Sequence, residues 1–247
     1  MMSALKAEWR KLLTVRSTYV ITGLVVALVT FVAFYPEGWR LSQAALHDPN
    51  QLSGDVMGAL NVAVFGAIVA ILLMTHEYRY NTIAYSLTAS KNRSLVLLSK
   101  ILVISGYGIL LAMLIGVLSP VMSYLGIRAH GNILAVQHLD VWNLAWRSVF
   151  YGWGYSMVGL LIAALMRSQV AAMVSLFLLP SIGESLLGLI LKHNAIYLPF
   201  ASLGEVIGRS DASGSSLSPT RAALVFTVYL VVGWAVAWCL FLFRDAG

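Results

Sequence analysis

The sequence contains few charged residues. Asp, Glu, Lys and Arg make up 11% of its 247 residues, and 60% of the residues are hydrophobic. Ordinary soluble domains have about 25% charged and about 45–50% apolar residues. The mean hydropathy, +0.84, is correspondingly high. A chain of this size cannot bury that much apolar surface in a core of its own. The composition therefore excludes a soluble globular protein and indicates that lipid covers the chain.

Several motifs of nucleotide- and metal-dependent enzymes are also missing. None of the five lysines follows a glycine, so the chain has no GxxxxGK[ST] phosphate-binding loop. Neither HExxH nor GxSxG occurs. His138 and Asp140 share one loop, which is a weak metal signal, and we expect no metal site and no catalytic residue. The single cysteine, Cys239, excludes an intrachain disulfide. If the protein does energy-requiring work, a partner has to supply the energy.

Uncharged stretches predict six membrane-spanning helices. A helix needs about 20 apolar residues to cross a hydrocarbon core of about 30 Å. We predict spans at residues 17–36, 56–75, 97–124, 144–166, 169–190 and 221–243. The expected fold is all-α, with residues 1–247 forming a single transmembrane domain. Residues 76–94 lie between the second and third spans, and residues 191–220 form a loop between the last two.

The distribution of Lys and Arg predicts that both termini are cytoplasmic. With the N-terminus inside, the inner segments carry ten basic and three acidic residues, a net charge of +7. The outer segments carry six of each, and Glu184 within a span completes the net charge of +6. Cytoplasmic loops of membrane proteins carry an excess of Lys and Arg. The positive charge is thus first a signal of membrane orientation, and we expect no nucleic acid as partner.

Residues 1–16 have the spacing of a short amphipathic helix. Leu5, Trp9 and Leu12 recur at i, i+4 and i+7, and basic residues lie around them. Such a helix lies in the inner membrane interface, with its apolar side in the lipid. The candidate residues of this interfacial helix are Leu5, Glu8, Trp9, Lys11, Leu12 and Arg16. Contact with a cytoplasmic partner is a second interpretation, compatible with the first.

Residues 76–94 mix charged side chains with more apolar and aromatic groups than a solvated loop needs. No Gly or Pro occurs between residues 67 and 105, so the segment can be helical. The apolar and aromatic groups are Tyr78, Tyr80, Ile83, Tyr85 and Leu87. An amphipathic helix of this kind docks its apolar side into the groove of a partner. We therefore predict a partner-binding helix on the cytoplasmic side.

These two elements resemble the permease subunits of type-2 ABC exporters, particularly the short six-helix members common in actinobacteria. Members typically begin with E-W-x-K-L and then R-S, which here read Glu8-Trp9-Arg10-Lys11-Leu12 and Arg16-Ser17. After the second span they carry E-Y-R-x-G-T-I, then P-x-x-R and a lysine. The matching positions are Glu77 to Ile83, Ser90 to Arg93, and Lys100. Asn81 replaces the usual Gly and tolerates a left-handed turn, whereas Ser90 near the usual Pro leaves that turn less rigid.

The resemblance implies a permease subunit that has no ATPase site of its own and binds no cofactor. In the family, ATP and Mg²⁺ are bound by a separate cytoplasmic ATPase, and two ATPases pair with two permeases, identical or different. The implied ATPase-coupling residues are Glu77, Tyr78, Arg79, Thr82, Ile83, Leu87 and Arg93. The resemblance further implies a multi-pass protein of the bacterial cell membrane that exports a drug, an antibiotic peptide or a lipid-like molecule.

Other functions stay open at this point. Within transport, the alternative is the permease of a glycan or polysaccharide exporter. An intramembrane enzyme would need paired catalytic groups at one depth, and the spans contain serines but no His or Asp to activate them. A membrane anchor for a complex is the third class. Copurification of an ATPase with the chain distinguishes the transporter from the other two.

Two charges, Arg147 and Glu184, interrupt otherwise apolar spans. A charge near the centre of a membrane helix costs about 2.5–3.5 kcal/mol on insertion scales and usually faces the helix bundle or a cavity. We predict that the two residues pair in the outer half of the bundle. Alternatively, Arg147 snorkels to the headgroups and Glu184 binds something else. Pro180, four residues before Glu184, removes a backbone hydrogen bond and predicts a kink in the fifth span.

The loop between the last two spans contains helix-capping signals. Ser202 and Glu205 have the spacing of a capping box, which predicts a short helix starting at Ser202 and ending at Gly208. In the family, this region forms short re-entrant helices, and an ordinary interfacial loop is the alternative. Ser218 and Pro219 provide an N-cap and a first-turn proline for the last span.

Overall fold

The computed structural model describes residues 2–41, 57–79, 93–132, 141–208 and 216–243, and no strand occurs among them. Nine α-helices lie in these ranges: α1 (Met2–Thr14), α2 (Arg16–Phe34), α3 (Val64–Arg79), α4 (Arg93–Ala129), α5 (Val141–Met166), α6 (Gln169–Leu178), α7 (Glu184–Leu191), α8 (Pro199–Val206) and α9 (Pro219–Phe243). Two π-helical turns (Tyr35–Trp39 and Leu179–Gly183) and two 3₁₀ turns (Ala59–Ala63 and Lys192–Tyr197) extend or join them. The predicted all-α fold is confirmed.

Six helical stretches of the described residues are long and apolar enough to cross a membrane. In chain order, the first to sixth spans are Arg16–Trp39, Ala59–Tyr78, Ser94–Ala129, Trp142–Met166, Gln169–Tyr197 and Pro219–Leu240. The six predicted spans are therefore confirmed, although their ends differ. The third span is longer than predicted because its helix continues through Pro120 to Ala129. The fifth continues past Leu191 through a 3₁₀ turn.

The second and fourth spans form the centre of the bundle. In each of these two spans, 61% of the residues in the most apolar 18-residue stretch are buried. The corresponding fraction is 6% in the fifth span and 17% in the sixth. Helix α5 packs along α3 and α4, and it also contacts α9. Glycines allow these close approaches, because a Cβ on Gly159 would lie 2.5 Å from the Ala67 Cα. Small residues at such interfaces bring the backbones of membrane helices into contact.

The fifth span is irregular at its centre, where Pro180 lies in the π-helical turn Leu179–Gly183. Proline cannot donate the backbone hydrogen bond that a regular helix needs, and π-helical turns and prolines are common causes of helix kinks. The local break that the sequence predicts at Pro180 therefore takes the form of a wider helical turn.

The short helix of the outer loop begins earlier than predicted. Helix α8 starts at Pro199, and the Ser202 hydroxyl donates to the Pro199 carbonyl within it. The capping-box start at Ser202 is therefore wrong, because proline at the first helical position sets the helix start instead. Helix α8 ends at Val206, slightly before the predicted end at Gly208, which follows with a φ of +83°. The last helix begins at Pro219, as its first-turn proline predicts and two residues before the predicted span start at 221.

The close contact between the second and fourth spans can be tested with Gly159→Ala. The added methyl group would lie 2.5 Å from the Ala67 backbone, so we expect a loss of about 1–3 kcal/mol in the free energy of unfolding. The control is Gly23→Ala in the first span, where an added Cβ would have no atom of another part of the protein within 4 Å. Thermal unfolding of the two variants in detergent measures the difference. Equal melting temperatures would contradict the close packing.

Candidate functional site

Helix α1 lies against the inner end of the third span. It packs along α4, and the Trp9 ring approaches Gly106, whose added Cβ would lie 3.8 Å from the Trp9 Cζ3. Leu12 is buried and Leu5 is partly buried against the core, whereas Lys6 and Arg10 are exposed. The apolar side of α1 thus packs against the protein. Its place in the membrane interface stays a prediction.

A cluster of four charged side chains joins α1 to the second and third spans. The Lys11 ammonium donates to Glu8 Oε1 at 2.7 Å and to Glu77 Oε1 at 2.5 Å. The Lys100 ammonium donates to Glu8 Oε2 at 2.9 Å and lies 3.1 Å from Glu77 Oε1. One oxygen of Glu77 therefore contacts both lysines. We call these four residues the ionic cluster.

Three members of the ionic cluster are almost completely buried. The exposed fraction is 1% for Lys100, 3% for Glu8 and 5% for Glu77, and the Lys11 side chain is 41% exposed. Taking such charges out of water costs several kcal/mol per ion unless good geometry and opposite charges compensate. Here two ammonium groups face two carboxylates, so the formal charge of the cluster is zero. Each charge is tolerated because of the other three.

Lys11 stays protonated in this setting. Burial by itself lowers the pKa of Lys11, but the hydrogen bonds from its ammonium to Glu77 and Glu8 outweigh this effect and raise the pKa above its ordinary value of 10.5. A raised lysine pKa contributes stability that is fully present below the unfolded-state pKa and is lost as pH rises through the folded-state pKa. The contacts of Lys11 with Glu8 and Glu77 are therefore independent of Lys11 titration at neutral pH.

A second contact ties the same end of α3 to the turn between the fourth and fifth spans. The Arg167 guanidinium lies 5.6 Å from the centre of the Tyr78 ring, within the range of a cation–π interaction. Arg167 has a φ of 52°, which turns the chain between the two spans. Glu77 and Tyr78 are adjacent, so two successive residues connect α3 to α1, to α4 and to this turn.

We call residues 76–94, which contain the predicted coupling residues, the coupling segment. The structure brings Glu8 and Lys11 of α1 together with Glu77 at the start of this segment. Glu77 and Tyr78 lie at the inner end of α3, and Arg79 is its last residue. Arg93 begins α4, and Arg16 begins α2. Thr82, Ile83 and Leu87 lie outside the described residues, so their role as coupling residues stays a prediction.

Sequence reasoning placed Lys100 in the family pattern but assigned it no contact. In the structure it completes the ionic cluster. Its signal in the sequence was a lone lysine leading into a long apolar run, and such intramembrane charges usually have a partner. That partner could not be identified, because Glu8 lies 92 residues earlier in the chain.

Near the middle of the fifth span, the Glu184 carboxylate caps the start of α8. Its two carboxylate oxygens accept hydrogen bonds from the backbone N–H groups of Phe200 at 2.6 Å and Ala201 at 2.8 Å. These N–H groups belong to the first turn of the helix, where a carboxylate is favourable. Arg147 is half-buried on α5. Its predicted pairing with Glu184 stays a prediction, whereas the capping role of Glu184 was not foreseen.

The described residues contain no group of three or more His, Cys, Asp or Glu side chains that could hold a metal ion. The charges of the ionic cluster are arranged to hold helices together, since each carboxylate contacts both ammonium groups.

The six spans define a polytopic membrane protein. At one end of its helix bundle, the ionic cluster connects α1 to the second and third spans. The sequence model of the ABC-2 family transporter proteins matches residues 4–182, which is 179 of the 247 residues. The chain belongs to this family. No curated protein matches the sequence. The family makes the chain a permease of an ABC transporter, a membrane subunit rather than an enzyme, and implies an ATP-binding partner subunit.

The ionic cluster can be tested with Lys100→Met. Removing this lysine leaves Glu8 and Glu77 to share the Lys11 ammonium, and breaking a buried pair in this way costs about 3–5 kcal/mol. We expect a matching drop in thermal stability in detergent and easier trypsin cleavage at Arg10. Lys6→Met on the exposed side of α1 is the control and should change neither.

A double variant separates loss of charge balance from loss of packing. In Glu77→Gln/Lys100→Met one charge of each sign is removed, so we expect part of the lost stability to return. A double variant less stable than Lys100→Met would contradict the charge-balance explanation.

Proposed function

We propose that the chain is the permease subunit of an ABC exporter, which moves its substrate outward with ATP hydrolysed by a separate cytoplasmic ATPase. In this proposal two permeases, identical or different, pair with two ATPases in a bacterial cell membrane. The ATPases bind ATP and Mg²⁺. The substrate class is a drug, an antibiotic peptide or a lipid-like molecule, and a glycan remains the alternative cargo. Family membership supports the permease role.

The observation that carries the proposal is the double attachment of Glu77. The coupling segment starts beside this residue, and its carboxylate contacts Lys11 of α1 and Lys100 of α4. A displacement of this segment would therefore be transmitted directly to α1 and to the third span. Energetic coupling between distant parts of a protein requires packed or hydrogen-bonded elements that have two alternative arrangements. Without these contacts, the segment could move without moving the spans.

The neighbouring residue extends the same connection. Tyr78 contacts Arg167 at the turn between the fourth and fifth spans, and the fifth span leads to Glu184 and the outer helix α8. The fourth span packs along the second and third. A displacement at the cytoplasmic side can thus reach the outer end through helices in direct contact. In the proposed cycle, ATP binding closes the ATPases and this route opens the outer side.

Copurification tests the proposal. We expect a tagged chain, purified from the membranes of its own cells, to carry a P-loop ATPase in a 1:1 ratio, and the complex in lipid nanodiscs to hydrolyse ATP. The variant Glu77→Gln/Ile83→Ser should still insert, because Glu77→Gln adds no charge to a span and Ile83 lies outside the predicted spans. The purified variant should retain at least fivefold less ATPase. His193→Asn, an exposed change on the outer side, is the control.

Two results would contradict this proposal. One is purification of the intact chain without any ATP-binding protein under conditions that preserve other membrane complexes. The other is an unchanged amount of ATPase and unchanged ATP hydrolysis in the Glu77→Gln/Ile83→Ser variant, which would remove residues 76–94 from the coupling role.

A further inference from the structure

A groove with a volume of about 570 Å³ runs between α1 and the start of the third span. Its lining residues are Leu5, Lys6, Trp9, Arg10, Leu102 and Val103. Residues 5, 6, 9 and 10 form one face of α1, because helix positions four apart lie on the same side. Glu8 and Lys11, which belong to the ionic cluster, lie on a different face. The groove is therefore a second surface of α1, separate from the ionic cluster.

Two basic side chains, Lys6 and Arg10, lie along this groove, and both residues are exposed. In the part of the chain that the structure describes, neither forms an ion pair with an acidic side chain. Their four-residue spacing puts their Cβ atoms about 5–6 Å apart. The other lining residues are apolar. Two positive charges can therefore converge on one anionic group at the edge of an apolar groove.

The groove lies where the apolar part of the third span begins. Lys100 is the last charged residue before an uncharged stretch that continues to Ile127, and Leu102 and Val103 are among the first residues of this stretch. In addition, Trp9 lines the groove, and tryptophan is enriched where membranes meet water. Two separate signals thus indicate that the groove lies at the level of the lipid headgroups.

The groove continues into a surface suited to an acyl chain. Leu102, Gly106, Leu110 and Val117 follow one another along α4 at intervals of four, four and seven residues, which places them on one side of the helix. The three larger residues of this row are exposed. Lipid tails are as apolar as leucine side chains. A ligand in the groove can therefore extend along this row into the membrane, as a lipid does and a soluble anion does not.

We propose that the groove between α1 and the third span binds one anionic phospholipid, whose phosphate contacts Lys6 and Arg10 and whose acyl chain lies along the row that begins at Leu102. Lysine and arginine donate charge-assisted hydrogen bonds to phosphate oxygens, and arginine can donate two in parallel. A zwitterionic phospholipid offers the same chains but carries a compensating positive charge, so it binds more weakly. The site requires neither an ATPase nor a transported substrate and is independent of the proposed function.

Lipid titration of the full-length protein tests the site. The protein is purified in detergent and freed of lipid, and native mass spectrometry counts the lipids bound to each chain. The probes are dioleoyl phosphatidylglycerol, which is anionic, and dioleoyl phosphatidylcholine, which is zwitterionic and has the same chains. We expect one phosphatidylglycerol to bind about tenfold or more tightly than phosphatidylcholine, because two basic side chains contribute to its binding. Glycerol 3-phosphate, which has no acyl chains, should not displace it.

Charge variants locate the phosphate contact. Lys6→Gln and Arg10→Gln each remove one charge from the groove. One basic side chain near an anionic lipid strengthens binding about fivefold, so we expect about fivefold weaker binding of phosphatidylglycerol in each variant. Arg16→Gln, at an exposed basic residue that does not line the groove, is the control. It changes the net charge of the protein equally and should bind both lipids as the unmodified protein does.

An apolar variant locates the acyl chain. Leu102→Ser removes part of the apolar wall without changing the charge, so we expect both lipids to bind about three- to tenfold more weakly. The preference for phosphatidylglycerol should remain. The control is Val228→Ser, at an exposed apolar residue of the sixth span that does not line the groove, and it should change neither affinity.

Equal affinity for the two lipids would overturn the proposal. A loss in Arg16→Gln as large as the loss in Lys6→Gln and Arg10→Gln would do the same, because binding would then follow the total charge. Melting temperatures measured without lipid identify the folded variants. If Arg10→Gln fails to fold, Lys6→Gln decides alone.

Unchanged binding of phosphatidylglycerol in the folded groove variants would also overturn the proposal. If those variants instead lost a copurifying protein, the groove would be assigned to a protein partner. A chain that purifies without an ATPase but binds phosphatidylglycerol as described would contradict the exporter function and keep the lipid site. The reverse result would contradict the lipid site alone.

Discussion

One buried carboxylate, that of Glu77, contacts two lysines, the buried Lys100 and the partly exposed Lys11. Because three of the four charges are buried, their attraction is weakly screened, and removal of one of these three leaves another buried charge uncompensated. The cluster therefore fixes α1 and the inner ends of the second and third spans relative to one another. The same residue is the first of those for which we propose an ATPase-coupling role. The membrane helices thus fix the inner end of α3 at Glu77.

Close helix packing connects the ionic cluster to more distant parts of the helix bundle. Gly159 and Gly152 of α5 bring its backbone against Ala67 and Ala112 of the neighbouring spans. Tightly packed interiors deform little and transmit displacement. In the proposed cycle, a displacement at the inner ends would pass along the fourth span, whose Tyr155 ring contacts Phe200 of α8. The ionic cluster and α8 are connected through helices in direct contact.

Much of the fold was predictable because the bilayer imposes a simple rule: apolar stretches of about 20 residues become spans. The short helix α1 was also recognisable from its spacing and from the family pattern. The contacts of Lys100 and Glu184 were not, because they depend on which helices become neighbours. The start of α8 was misplaced since Pro199 outweighs a capping-box pattern at Ser202. Local signals predicted elements, whereas tertiary contacts decided the roles of buried charges.

The central claim is that the ionic cluster holds α1 on the third span as one unit. Spin labels at Lys6→Cys and Arg128→Cys, in a Cys239→Ser background, report the distance from α1 to the outer end of that span by pulsed electron paramagnetic resonance. Labelled chains are diluted among unlabelled ones in the complex with the ATPase. We predict one narrow distance that a non-hydrolysable ATP analogue leaves unchanged, and a broad distribution in Lys100→Met. A shift of several ångströms with the analogue, or an unchanged distribution in Lys100→Met, would contradict the account.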